Sequence, residues 1–152
     1  MVKKQKPEIY RARSNAAKWF AKYIRLRDCL DSGGVEGECI TCGKPLPIEK
    51  LQCGHFLPGR RDPIAFDERN AAAQCYQDNV RKQGMWPEFE LATIERWGEG
   101  ITAYLKHAYH NPEKWTAEKY RHVSDYYRGQ YKKLQEVIKR NGTTQNGELE
   151  NR

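Results

Sequence analysis

At 152 residues the chain has room for one ordinary domain, and its 38% hydrophobic content gives it a modest core to bury. No apolar stretch is long enough to span a membrane or to serve as an N-terminal signal peptide, so a membrane protein is excluded and the expected compartment is the cytoplasm, where five cysteines read as metal ligands or catalytic groups rather than disulfides. The net charge of +7 is unevenly placed: residues 1–27 hold nine Lys/Arg against Glu8 alone, a block that lowers its own repulsion by meeting a polyanion such as nucleic acid, with a solvated basic tail as the plain alternative.

In chain order, residues 1–9 read as a mobile basic arm. Trp19, Phe20, Tyr23 and Ile24 then recur at three- and four-residue spacing, while Lys18, Lys22, Arg25 and Arg27 fall mostly elsewhere. This predicts an amphipathic helix over about 14–28, capped by Ser14 or Asn15 and stopped by Ser32-Gly33-Gly34. From 38 to 80 short segments alternate with turn residues: Cys39 to Cys42, Gly43 to Pro47 and Leu51 to Phe56 predict a zinc knuckle and a β-hairpin. Asn70 to Gln83, with alanines at 71–73, predicts a helix that Gly84 ends, which completes a ββα order.

Helices follow at about 87–97 and 99–110, until Asn111-Pro112 interrupts the pattern. A last long helix starts at Thr116, a suitable N-cap, with Trp115 placed to pack on Tyr120 as a hydrophobic staple. Tyr120, Val123, Tyr127, Leu134 and Val137 mark one stripe as far as about Arg140. That stripe reads as core or a partner-helix seam before it reads as a base-stacking platform. Residues 141–152 are polar, rich in Gly and Asn, and expected to be disordered.

Cys39-Ile40-Thr41-Cys42-Gly43 has the spacing at which two thiolates reach one tetrahedral zinc, and the glycine lets backbone amides turn toward the sulfurs. The second half of the site is Cys75-Tyr76-Gln77-Asp78, where a carboxylate stands in the fourth place. Cys53 or Cys29 is the substitute if the fold brings either close, and ordinary buried thiols are the bland alternative. One structural zinc per chain is expected.

His55, Asn70 and Asn79 are separated by 14 and then 8 residues inside this cysteine frame. The arrangement resembles the HNH nucleases. The wider text, Gln52-Cys53-Gly54-His55-Phe56, Arg60, Phe66-Asp67-Glu68-Arg69-Asn70 and Gln74-Cys75, together with Tyr23-Ile24-Arg25-Leu26-Arg27-Asp28, is similar to the NinG/Rap recombination nucleases of lambdoid phages over roughly residues 16–110. The resemblance implies an α+β, mostly helical fold: a zinc knuckle, β-hairpin and helix forming a ββα-metal core, flanked by N-terminal and C-terminal helices. The domains would be a basic arm over 1–13, the HNH-like domain over 14–110, a C-terminal helix over 111–140 and a tail over 141–152.

It further implies a metal-dependent endonuclease that cuts branched DNA such as D-loops or Holliday junctions. In its roles, His55 is the general base, Asn70 fixes the ring through a hydrogen bond, and Asn79 gives an oxygen to Mg²⁺ or Mn²⁺. Arg60, Arg61, Lys18, Lys22 and Arg25 suit DNA phosphates, with solvated positions as the alternative. Two features depart from common HNH patterns. Gly54 stands where many of these enzymes carry a metal ligand, a trait of the NinG branch that leaves Asp62, Asp67 or Glu68 as replacements; Asp78 stands for a cysteine. His107, His110 and His122 fall in helices and read as surface or packing residues. Rival readings are a non-catalytic zinc-containing DNA-binding protein and, more remotely, a protein-interaction adaptor whose C-terminal helix pairs with a second copy or with a partner.

Overall fold

The computed structural model of the chain describes residues 7–149, with side chains over residues 7–142. Its first helix, α1, spans Glu8–Asp28 and takes in much of what the sequence marks as a basic arm; residues 1–6 of that arm lie outside the described residues. The early start has a local cause. Pro7, which has no N–H to leave unpaired, stands at the N-cap, Glu8 meets the positive end of the helix dipole, and Arg25 and Arg27 sit in the last turn. One face of α1 buries Ala16, Phe20 and Ile24, the stripe its periodicity predicts.

Four short strands form two antiparallel pairs. β1 (Glu36–Glu38) pairs with β2 (Pro45–Pro47) around the Cys39–Cys42 turn. β3 (Leu51–His55) pairs with β4 (Ala71–Cys75), with Gln52 opposite Gln74 and Gly54 opposite Ala72. The helix expected over Asn70 to Gln83 is therefore corrected: its first half is β4, and only a π-helical turn over Gln77–Arg81 remains. Alanine's preference for helix is worth under about 1 kcal/mol per residue and yields to tertiary packing. Every residue of β4 is buried. Ala71 packs with Phe20 and Tyr127 on one face, and Ala72 with Phe56, Ile64, Phe89 and Leu105 on the other. A strand covered on both faces reads as a continuous apolar run without the alternation that would mark it as a strand.

The outer edge of β4 is closed by the C-terminal end of α1. Arg27 donates to the Ala71 carbonyl at 2.9 Å, and Asp28 Oδ2 accepts from the Ala73 N–H at 2.7 Å. The Ile40 N–H bonds the Ala73 carbonyl at 2.9 Å. Burial works against the charge on Asp28, but Arg27, Arg96 and the Ala73 N–H outweigh it and hold its carboxyl below the usual carboxylate range.

α2 (Trp86–Trp97) and α3 (Gly100–His110) follow where the sequence pattern places them, and α4 (Ala117–Leu149) ends the described chain. Thr116 Oγ1 accepts from the Lys119 N–H at 3.2 Å, and the Trp115 and Tyr120 rings lie 5.7 Å apart, so both the cap and the staple form. The helix continues past Arg140 to Leu149, through most of the segment expected to be disordered; residues 150–152 lie outside the described residues. Extending an existing helix costs much less than nucleating one, which lets a polar segment follow. Along its stripe Tyr120 and Tyr127 are buried against α1, whereas Val137 is exposed. The Phe20 and Tyr127 rings meet edge to face at 4.8 Å, and Asn15 donates to Ser124 Oγ at 2.7 Å.

The β3–β4 pair is thus held between α1 and α4 on one side and α2 and α3 on the other. The mostly helical α+β class is the observed one. No described helix is long and apolar enough to cross a membrane.

Candidate functional site

The β1–β2 turn carries Cys39 and Cys42, and the end of β4 with the turn after it carries Cys75 and Asp78. The ligand atoms of these four side chains all lie within 4.8 Å of one another. The Cys42 and Cys75 sulfurs stand 4.0 Å apart, and Cys39 Sγ is 3.7 Å from Asp78 Oδ2. Ligands bound to one tetrahedral zinc at about 2.0–2.3 Å stand at similar separations. The Cys75 N–H points at Cys39 Sγ at 3.3 Å and the Asp78 N–H at Cys75 Sγ at 3.4 Å, while burial pushes the Cys42 thiol up to about 12. Gly43 takes the left-handed φ of 68° that closes the knuckle. The cluster can therefore bind a metal such as zinc.

Asp78 fills the fourth corner. It is buried, with Oδ2 accepting from the Thr41 hydroxyl at 2.8 Å and Oδ1 paired with Lys82 at 3.0 Å. Burial opposes its charge, but these partners bring its pKa down to about 2. Burial likewise opposes a thiolate at Cys39, yet the Thr41 hydroxyl and the N–H groups of Cys75, Cys42 and Thr41 lower its pKa. The two substitutes lie elsewhere: Cys29 packs with Leu51 and Ala73, and Cys53 packs against the α1 core. Burial pushes their thiols up to about 11 and about 12.

His55 ends β3, with Nε2 3.0 Å from the Ala65 carbonyl. A carbonyl only accepts, so Nε2 carries the hydrogen and Nδ1 keeps its lone pair. Phe20 lies 5.9 Å from the ring, and Gly59 closes over it so tightly that a Cβ there would stand 2.9 Å from Nε2. Burial depresses the His55 pKa below 6.5, with the Arg13 charge adding to the effect and the Ala65 bond opposing it. The ring is therefore mostly neutral near pH 7.

Asn70 does not touch the ring, which corrects the expected direct bond. Fully buried, it accepts from the Leu57 N–H at 2.9 Å and donates to the Leu57 and Ile64 carbonyls at 2.9 and 3.1 Å. It thereby closes the loop that carries Gly59 and leads into Ala65, and so places the ring at one remove. Arg13 holds the same loop by donating to the Gly59 carbonyl at 3.1 Å.

Asn79 Nδ2 donates to Gln52 Oε1 at 2.7 Å, which leaves Oδ1 as the oxygen it can offer a cation. His55 and Asn79 line one cleft of about 440 Å³, together with Arg60, Gln83, Gly84 and Trp86. Among the described residues, no carboxylate lines it. Asp62 is buried against the Tyr120 hydroxyl and Arg13, Asp67 pairs with Arg69 at 2.7 Å, and Glu68 accepts from the Tyr23 hydroxyl at 2.9 Å. A hard dication here would meet an amide oxygen and no carboxylate from the chain, whereas Mg²⁺ sites usually supply one or two carboxylates.

Of the five basic residues assigned to DNA, Arg60 shares this cleft. Arg61 donates to the Tyr109 carbonyl at 3.2 Å and lies over that ring, on α3. Lys22 covers the Trp19 and Tyr131 rings, Arg25 donates to its own helix at Ala21, and Lys18 lines a hollow on α1 with Tyr10 and Arg13. His107, His110 and His122 are exposed and belong to neither site. Sequence reasoning missed Arg13 and Arg27, whose charges are spent on carbonyls of the fold, and Gln74, whose amide is buried beside both sites. The Ala65 carbonyl carries no signal in sequence, since every residue has one.

No curated protein and no solved structure matches the chain. The family model described as Bacteriophage Lambda NinG protein matches residues 2–137, a span that includes the cysteine cluster, the cleft and the part of α4 that packs on α1. The chain therefore belongs to the NinG family of bacteriophage lambda.

Proposed function

We propose that the chain is a metal-dependent endonuclease of phage recombination, cutting branched DNA such as D-loops or Holliday junctions. Family membership suggests the recombination role. The observation that carries the catalytic part is the His55 ring, held by Nε2 on the Ala65 carbonyl with Nδ1 as its remaining lone pair, in a residue that lines one cleft with Asn79 and Arg60. Nδ1 takes the proton from the water that attacks a phosphodiester. Burial keeps the ring unprotonated and ready to accept it. Arg60 meets the phosphate, and Asn79 Oδ1 is the chain's ligand for Mg²⁺ or Mn²⁺. When bound, that cation supplies positive charge for the phosphate and the leaving oxygen. The cysteine cluster, loaded with zinc, secures the end of β4 and the π-helical turn that carries Asn79.

Incubating the protein with branched and linear DNA and either cation tests this. The branched substrate is expected to be cut, and His55→Ala to slow the cut by about 10²–10⁴-fold with zinc retained. No cleavage, or equal cleavage by His55→Ala, sinks the reading. The absence of a carboxylate from the cleft favours one rival, a zinc-containing DNA-binding protein without turnover. That rival expects salt-dependent binding that survives His55→Ala while no strand is cut.

A further inference from the structure

Gly54 and Gln74 are diagonal neighbours across the strand pair, and their geometry explains each other. Gln74 is fully buried on β4. Its Nε2 donates to the Gly84 carbonyl at 2.9 Å and to Thr41 Oγ1 at 3.2 Å. Thr41 passes the chain on, donating to Asp78 Oδ2 at 2.8 Å. One amide therefore links a hydroxyl inside the zinc knuckle to a peptide on the wall of the cleft.

That peptide sits in an unusual backbone. Gln83, Gly84 and Met85 all take left-handed φ angles, of 54°, 92° and 50°. Two of the three are not glycine, and such conformations persist only where surrounding contacts impose them. The Gly84 peptides are held on both sides: its N–H bonds the Asp78 carbonyl at 2.8 Å, and its carbonyl takes the Gln74 amide. Gln83 and Gly84 line the cleft beside His55, and the turn leads directly into Trp86 on the same wall.

Gly54 supplies the space. A Cβ at residue 54 would lie 2.2 Å from Gln74 Oε1, 2.9 Å from its Cβ and 3.1 Å from its Cδ. Any side chain there would drive the amide from its place. Gln74 Oε1 has no hydrogen-bond partner, so the glutamine is not kept for that oxygen. What it makes are the two bonds of Nε2.

We propose that Gln74 is a positioning residue that ties the zinc knuckle to the strained Gln83–Met85 turn and so shapes the substrate wall of the cleft, with Gly54 reduced to glycine to admit it. Its kinetic consequence rests on the endonuclease reading; its structural consequence does not. Gln74→Met, close in volume but without the amide, is the direct test in the full chain. It is expected to keep its zinc while the amides of residues 83–86 exchange hydrogen about tenfold faster, the equivalent of one lost hydrogen bond.

On branched DNA with Mn²⁺, KM is expected to rise about tenfold with kcat within about twofold, because the wall is loosened and His55 and Asn79 are untouched. Gly54→Ala is expected to reproduce the exchange effect. In the Gln74→Gly background, which also removes the Cβ that a residue-54 Cβ would meet at 2.9 Å, the same Gly54→Ala change is expected to add little, a non-additivity that two independent sites would not show. Unchanged exchange at 83–86 in zinc-loaded Gln74→Met overturns the proposal, as does full additivity of Gly54→Ala and Gln74→Gly. Loss of zinc from Gln74→Met overturns it too, since the amide would then serve the knuckle instead of the wall. If even the wild type fails to cut DNA, the endonuclease reading falls while the exchange result still decides the role of Gln74.

Discussion

Cys75 ends β4 beside Leu51 and His55 ends β3 beside Ala71, so the cysteine cluster and the cleft begin at opposite ends of one strand pair. They are built differently. At the cluster, side chains do the holding: three sulfurs and a carboxylate converge, and their charge calls for a cation. At the cleft the main chain does it: a carbonyl fixes the imidazole, and a glycine seals the ring. The polar side chains there are an imidazole, two amides and one guanidinium, beside the Phe56 and Trp86 rings, with no acid among the described residues. A site that only braces the fold can gather its own charge, whereas under the proposed endonuclease reading this cleft would leave negative charge to an incoming phosphate.

The contrast breaks most visibly at the cluster. Replacing Cys39 by Ser, or stripping the metal with a strong chelator, is expected to abolish zinc binding and lower the melting temperature by more than about 10 °C, since structural zinc sites supply several kcal/mol or more of folding energy. Zinc analysis and thermal unfolding by circular dichroism check this. An unchanged melt without metal would mean that the cluster braces nothing.

A smaller loss is expected at the other end. Asn70→Ala would strand the Leu57 N–H and carbonyl and leave the Ile64 carbonyl with the Asp67 N–H alone, at a cost of about 2–4 kcal/mol, with zinc still bound. Urea unfolding measures it. A cost under about 1 kcal/mol would show that the loop above His55 holds without Asn70.

The pH dependence is the mildest effect. His55 has its pKa depressed by burial, so its rate limb should rise with pH and be centred below 6.5. Between that depressed value and 6.5 the unfolded chain binds the extra proton, so the contribution of His55 to stability also falls as pH drops through this window. Log kcat/KM against pH, and urea midpoints of wild type and His55→Gln across the same window, test both. A limb centred above 6.5 would mean that the ring is not buried in the working enzyme.

These residues also mark how far the sequence could be read. The helices after Gly84 and the Thr116 cap follow from local rules, periodicity and one side chain meeting its own backbone, and they form as expected. Cys39, Cys42, Cys75 and Asp78 were legible because metal ligation restricts residue type and spacing. Ala71 to Ala73 misled because alanine suits a helix by propensity and a doubly covered strand shows no alternation, and only the flanking helices decide between them. The partners of Asn70 and His55 are main-chain atoms whose positions depend on a loop closed from several directions, which no spacing rule encodes. Gly54 was visible as a missing ligand, but its reason lay 20 residues away on another strand.

The side chains that close β4 carry one more consequence. An uncharged Ala-Ala-Ala-Gln-Cys strand with a bare edge would be a ready template for another chain, and sheet proteins guard such edges with charge. Here Arg27 and Asp28 occupy its hydrogen-bonding groups. The same two residues that finish a helix thus work against strand-to-strand aggregation on a strand that ends at a candidate metal site.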